Sequence, residues 1–201
     1  MEGNKEEHPL QREYQFWYSK YKKPDENDKK LKMSKEDFES ELKSLKTFST
    51  VEEFWGLFLH MKTPSQLETG SKLFLFQGNI RPVWEDEMNK NGGRFYFKVK
   101  QDQSDQLWQE LCLAYISEDF DYNNQICGLQ LAVRPDNVIM ISIWTQYMKR
   151  YIKDECTDWI KDYLGLSSWV RIFYNNHPRP KDCRRGGAGN GRGRDNYKYR
   201  G

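Results

Sequence analysis

The chain has 201 residues, room for one domain with tails and too few for two full cores. Its 32 Lys and Arg against 30 Asp and Glu are unevenly placed: from Pro178 onward eight basic residues face two acids, so that segment carries +6 and the remainder −4. An acidic body with a basic tail excludes a polyanion binder that works through its whole surface; no apolar run approaches the roughly 18 to 20 residues that span a bilayer, so a soluble, intracellular protein is expected.

In chain order, Met1–Glu7 reads as a disordered lead, and Tyr14–Ser19 as a first strand, rich in aromatic residues. Tyr21–Lys35 is dense in Lys, Asp, Glu and Asn and reads as a long exposed loop. Leu42–Thr47 is the next strand. Thr50-Val-Glu-Glu53 then fits a capping box, and Val51, Phe54, Trp55, Phe58 and Leu59 recur at helical spacing, which predicts a helix over Val51–Met61. Strands are expected at Lys72–Phe76 and Arg94–Lys100. Leu107, Trp108, Leu111, Cys112 and Tyr115 then mark a second helix near Asp105–Ser117. Cys127–Val133 and Ile139–Trp144 flank Arg134-Pro-Asp-Asn-Val138, a turn composition that predicts a hairpin. A third helix carries Met148, Ile152, Cys156, Trp159, Ile160, Tyr163 and Leu164 on one face and stops at Gly165. Val170–Tyr174 closes the series, and Arg179–Gly201, rich in Gly and Arg, reads as a disordered tail. Hairpin-paired strands with helices on one face give an α+β domain with a mainly antiparallel sheet over residues 8–178.

Cys112, Cys127, Cys156 and Cys183 form no Cys-x-x-Cys pair, His8, His60 and His177 are scattered, and no nucleophile elbow or phosphate loop occurs. Metal, cofactor and catalytic residues are therefore not implied. The aromatic content of 15%, with seven Trp, is the outstanding feature. The densest chemistry lies in Ile80-Arg-Pro-Val-Trp84-Glu85-Asp86-Glu87 through Gly92-Gly93-Arg94. An indole beside carboxylates suits a flat cation whose N–H groups a carboxylate can accept, such as guanine methylated at N7. The same residues also describe a loop Trp packed under the Gly-Gly turn with solvated acids.

This segment resembles the cap-binding loop of the translation initiation factor 4E family and its 4E-homologous relatives. The likeness continues through His8-Pro-Leu-Gln11, Phe16-Trp17-Tyr18, Thr50-Val-Glu-Glu-Phe-Trp55, Cys127-Gly128, Val133-Arg134, Ile141-Ser-Ile-Trp144 and Leu164-Gly-Leu166, and covers about His8 to His177. The resemblance implies a curved eight-stranded antiparallel sheet backed by three helices, with the 7-methylguanosine cap of messenger RNA held on the concave face. Trp84 matches one stacking plane and Glu85 the carboxylate that reads the guanine edge. Phe38 matches the second plane, where initiation factors usually have Trp and 4E-homologous proteins Tyr, so weaker stacking is implied. Trp144 matches the residue against the N7-methyl group, and Arg134 a phosphate contact. The turn Pro135-Asp136-Asn137 lacks the family's lysines, leaving Lys149, Arg150 or the tail to replace them and Arg94 to act through water.

On the convex face His8, Pro9, Val51, Trp55, Glu110 and Leu113 match the positions that hold a partner's Tyr-x-x-x-x-Leu-apolar helix, with Gln109 replacing one apolar contact. Trp17, Trp108 and Trp159 are expected in the core. The reading that follows from the resemblance is a cytoplasmic, monomeric cap-binding protein that recruits a scaffold for translation initiation. The alternatives are a 4E-homologous repressor and a generic single-stranded RNA binder acting through the Arg/Gly tail.

Overall fold

Alternating apolar positions build one sheet and decide what each of its faces carries. The computed structural model describes residues 7–20, 39–120, 122–136 and 138–178. Among these, β1 (Pro9–Lys20), β2 (Lys43–Thr50), β3 (Ser71–Gln77), β4 (Gly93–Lys100), β5 (Ile126–Arg134), β6 (Val138–Thr145) and β7 (Phe173–Asn176) form an antiparallel sheet ordered β2-β1-β3-β5-β6-β4-β7. The expected hairpin is the β5–β6 pair. Seven strands stand among the described residues, against the eight that the resemblance implies. The charged loop Tyr21–Lys35, Phe38, the tail from Arg179 onward and all of the lead but Glu7 lie outside the described residues.

Because side chains alternate along a strand, Leu73 and Leu75 of β3 point to one face. Phe95, Phe97 and Val99 of β4, Leu129, Leu131 and Val133 of β5, and Ile139, Ile141 and Ile143 of β6 join them there in the main core. Three helices cover this face: α1 (Val51–Phe58), α2 (Gln101–Ile116) and α3 (Arg150–Tyr163). Each fully buried large apolar side chain contributes about 1.5–3 kcal/mol, so this layer supplies most of the driving force. No helix among the described residues is long and apolar enough to cross a membrane.

The element limits move from expectation for local reasons. In α1 the Thr50 hydroxyl caps the Glu53 N–H at 3.2 Å, while the Glu53 carboxylate accepts from Ser49 N at 2.9 Å, one residue earlier than the usual box partner. The helix ends at Phe58 rather than Met61 because the N–H groups of His60 and Met61 turn to carbonyls three residues back, and Thr63-Pro64 opens a new turn. Helix α2 starts at Gln101, directly after β4, because its polar first turn carries no apolar periodicity. Strand β1 begins at Pro9, where it pairs with Thr50, and β7 shifts to Phe173–Asn176, the segment that β4 pairs. Gly165 has the left-handed φ of 54° expected at the end of α3.

Trp108 is buried in the main core and Trp159 packs against it from the side. Trp17 packs on the other side of the sheet, against a second core cluster of Phe74, Phe76, Ile80, Cys127 and Trp144.

Candidate functional site

The second cluster carries the loop between β3 and β4, and that loop sorts its three consecutive acids into different tasks. Asp86 is a brace: its carboxylate accepts from Arg81 N at 3.1 Å and Met88 N at 3.0 Å. Glu87 pairs with Lys90 at the surface at 2.5 Å. Glu85 turns into the cleft, with Oε1 buried. Asn89, fully buried, ties the loop from beneath, donating to the carbonyls of Arg81 at 2.9 Å and Val83 at 2.8 Å. The loop closes at Gly92, where an added Cβ would lie 1.8 Å from the Thr145 carbonyl oxygen. Only glycine allows that approach, so the Gly-Gly pair sets the height at which Trp84 and Glu85 stand above the sheet.

Trp84, Glu85 and Trp144 line one cleft of about 560 Å³, together with Phe74, Arg94, Gln130 and His177. Trp144 Nε1 donates to Gln130 Oε1 at 2.9 Å, an oxygen that also accepts from Arg94 at 3.3 Å. Phe76 meets the Trp144 ring edge-on at 5.6 Å, and the His177 ring lies 4.4 Å away on it. Gly128 leaves room for this stack, since a Cβ there would sit 2.3 Å from the Phe76 ring. Burial, and then Arg94, hold His177 down to about 4, so the imidazole is neutral at pH 7 and adds no charge opposed to a cationic ligand.

Cations gather beside this aromatic end from three strands. Lys72 of β3 and Arg94 of β4 line the cleft. Arg134, at the exposed end of β5, is not part of the cleft wall, but its charge acts on both. Burial, then Arg134 and Arg94, push Lys72 down to about 8, and burial with Arg134 lowers Arg94. Lys149 and Arg150, candidates to replace the missing turn lysines, sit at the start of α3 and do not line the cleft. Lys72 and Gln130 were missed in the sequence. The available signal was alternation, since each falls on the opposite face from Leu73 and Leu129, and Gln130 is a polar residue inside an apolar strand.

The Lys72 shift has a sign that can be tested. The unfolded chain holds this proton up to its ordinary value of 10.5, the folded chain only to about 8, so folding becomes more favourable as pH rises through that window. Lys72→Met is expected to raise stability at pH 7 by about 1–3 kcal/mol, and to remove the Lys72-linked gain in denaturation midpoint between pH 8 and 10. An unchanged midpoint at pH 7 contradicts this.

On the helical side, His8 is clipped to α1. Its ring Nδ1 meets Glu52 Oε1 at 2.7 Å, its N–H donates to Glu52 Oε2 at 3.0 Å, and Val51 N donates back to its carbonyl at 2.9 Å. These bonds from His8 hold the Glu52 carboxyl down to about 2. Trp55 is half-buried, edge-on to Phe54 at 5.1 Å and to Phe58 at 5.9 Å. Val51, Glu110 and Leu113 are likewise half-buried and Pro9 is exposed; Glu110 accepts from Gln106 at 2.7 Å. Phe38 is outside the described residues, so the wall opposite Trp84 carries no geometric statement.

The chain as a whole is similar in sequence and fold to known proteins. The family described as "Eukaryotic initiation factor 4E" matches residues 9–188. "Eukaryotic translation initiation factor 4E1" of Drosophila melanogaster is 41% identical over 141 residues, which are 69% of this chain and 50% of that protein, so the chain spans about half its length. "Eukaryotic translation initiation factor NCBP" of Triticum aestivum is 33% identical over 85% of this chain and 70% of the relative. The solved complex of C. elegans eIF4E-3 with the 4E-binding protein Mextli and cap analog superposes with a TM-score of 0.75 at 32% identity, covering 89% of this chain and 96% of that one. With a family match across residues 9–188 and a fold that superposes on a solved relative over most of both chains, the chain belongs to the eukaryotic initiation factor 4E family.

Proposed function

We propose that the chain binds the 7-methylguanosine cap of messenger RNA in the cleft of Trp84, Glu85 and Trp144, and recruits a translation scaffold through its helical face. The observation that carries this is one cleft lined by the Trp84 and Trp144 rings, the Glu85 carboxylate and the cations Lys72 and Arg94, with the charge of Arg134 acting on both cations from outside the cleft wall. A methylated guanine is cationic, and the chain that follows it is a polyphosphate. The indole attracts the ring, Glu85 accepts from the guanine N1–H and N2 amino group, and Lys72 and Arg94 take the phosphates. Lys72 and Arg94 here take the place of the turn lysines that the β5–β6 hairpin lacks. No bond of the ligand is made or broken in this scheme, so the chain acts by recognition rather than catalysis.

Titration of intrinsic Trp fluorescence with 7-methylguanosine triphosphate, against GTP, is expected to give quenching selective for the methylated base. Equal responses to both would overturn the reading.

The partner's Tyr-x-x-x-x-Leu-apolar helix is assigned to His8, Pro9, Val51, Trp55, Glu110 and Leu113, with Trp55 as anchor. Trp55→Ala is expected to weaken a peptide of that motif by about 30-fold or more, the scale of an aromatic hot spot. Affinity for 7-methylguanosine triphosphate should stay within about twofold, because Trp55 stands on the opposite side of the sheet. Calorimetry with each ligand checks both statements, and retained peptide binding would remove Trp55 from the interface. A repressor would use the same two surfaces, and capture of a repressor fragment in preference to a scaffold fragment would reassign the output.

A further inference from the structure

We infer that the concave face carries a second stacking site, formed by Tyr96 and Phe173, for the first nucleobase of the RNA that follows the cap; the inference rests on the cap-binding reading. Register brings these two residues together. Tyr96 of β4 pairs with Phe173 of β7, and their rings stack at 5.4 Å with an interplanar angle of 24°. The two faces of β7 have separate uses. Tyr174 packs edge-on to Phe95 at 4.8 Å on the core side, whereas Phe173 points the other way and is 43% exposed.

The platform continues the cleft rather than standing apart from it. Arg94, which lines the cleft and pairs across the ladder with Trp144, lies one same-face step before Tyr96, and its guanidinium sits 5.8 Å from the Tyr96 centroid. Asn175, also a cleft residue, donates to the Tyr96 hydroxyl at 3.4 Å. One same-face step along a strand is about 7 Å, so the platform stands one ladder rung beyond the Trp144 row. The same face of β4 continues with Lys98 and Lys100, both exposed, while Lys72 and Arg134 stand on β3 and β5.

A flat aromatic surface bordered by cations is the arrangement that single-stranded RNA uses: bases stack on rings while basic side chains follow the phosphates. The charge selects this occupant over an apolar helix, which would leave Arg94 and Lys98 facing hydrophobic side chains. Stacking is sequence-tolerant, so the site would accept any first base and favour purines for their larger faces.

The test compares 7-methylguanosine triphosphate, a 7-methylguanosine-capped RNA tetranucleotide, and the same tetranucleotide with an abasic first nucleotide. The proteins are the full chain, Phe173→Ala and Phe173→Tyr. The full chain should bind the capped tetranucleotide at least about 5-fold tighter than 7-methylguanosine triphosphate, the lower end of the scale for one stacked base. The abasic RNA should lose that advantage, Phe173→Ala should lose it without changing the triphosphate affinity, and Phe173→Tyr should keep it. A tetranucleotide advantage that is absent, or that survives both Phe173→Ala and the abasic substitution, overturns the inference and leaves cap binding standing. If Phe173→Ala lowers the melting temperature but not the advantage, the pair is only a cross-strand brace and the inference fails. Binding of neither capped ligand would defeat the cap-binding reading, and this one with it.

Discussion

Replacing Trp84 by alanine is expected to weaken binding of 7-methylguanosine triphosphate by about 10- to 100-fold, the range of one lost aromatic plane against a cationic base. GTP, which has no ring charge, should lose less, so the selectivity ratio should collapse along with the affinity. The fold should survive, because Trp84 is half-buried at the edge of the concave cluster and the main core lies on the other side of the sheet. Calorimetric titration of both nucleotides, with a thermal melt of the variant, checks this. Unchanged methyl selectivity with a lowered melting temperature would make Trp84 a packing residue under the loop. Trp84→Phe should fall between the two, and Glu85→Gln should weaken both nucleotides, since guanine offers the same N–H edge with or without the methyl group.

Gly92→Ala should be the most damaging small substitution near the site. Its Cβ would sit 1.8 Å from the Thr145 carbonyl oxygen, 2.8 Å from the Thr145 carbonyl carbon and 3.0 Å from that of Gln146. All three are backbone atoms at the end of β6, so no side chain can swing aside. Either the strand end or the loop must move, and the hydrogen bonds from Gly92 N to Asn89 O at 2.8 Å and from His177 N to Gly92 O at 3.0 Å move with it. A cost of about 3 kcal/mol is expected, at the upper end of overpacking, equivalent to a fall of about 6–12 °C in Tm. Because the same loop carries Trp84 and Glu85, cap affinity should fall as well, although the added methyl group would touch no ligand. A melt that shifts by less than about 2 °C would show that the loop relaxes freely and that Gly92 does not set its height.

The fold was legible wherever local pattern and tertiary demand coincide. The alternation in β4 separates Phe95, Phe97 and Val99 from Arg94, Tyr96 and Lys98, because a two-residue period leaves each side chain one choice of side, whereas β3, β5 and β6 are buried on both faces and the second cluster takes their other side. The helical stripes and Gly165 were legible for the same kind of reason. Element limits were not: Pro9, Gln101 and Asn176 take their states from cross-strand pairing or from a polar first turn, and neither leaves a mark in a short window of sequence. Trp17 joins the second core cluster rather than the main one because its neighbours Phe16 and Tyr18 face the main core, and its own position in the alternation sends it to the other side.

In the site, the sequence by itself determined the chemistry on offer: a Trp beside carboxylates, a Gly-Gly turn, Trp144 at the end of a strand, and an Arg before a turn without lysines. Only the tertiary structure decided how these are used. It made Asp86 a brace, Glu87 a surface ion-pair partner and Glu85 a cleft residue, because loop backbone donors and Lys90 claim the first two. It also brought Lys72, Arg94 and Arg134 into one field, and Tyr96 against Phe173. The physical reason is one of range: which face a strand residue occupies is set by its neighbours in sequence, whereas the residue opposite it is set by register between distant segments, which depends on how the whole sheet buries its apolar side.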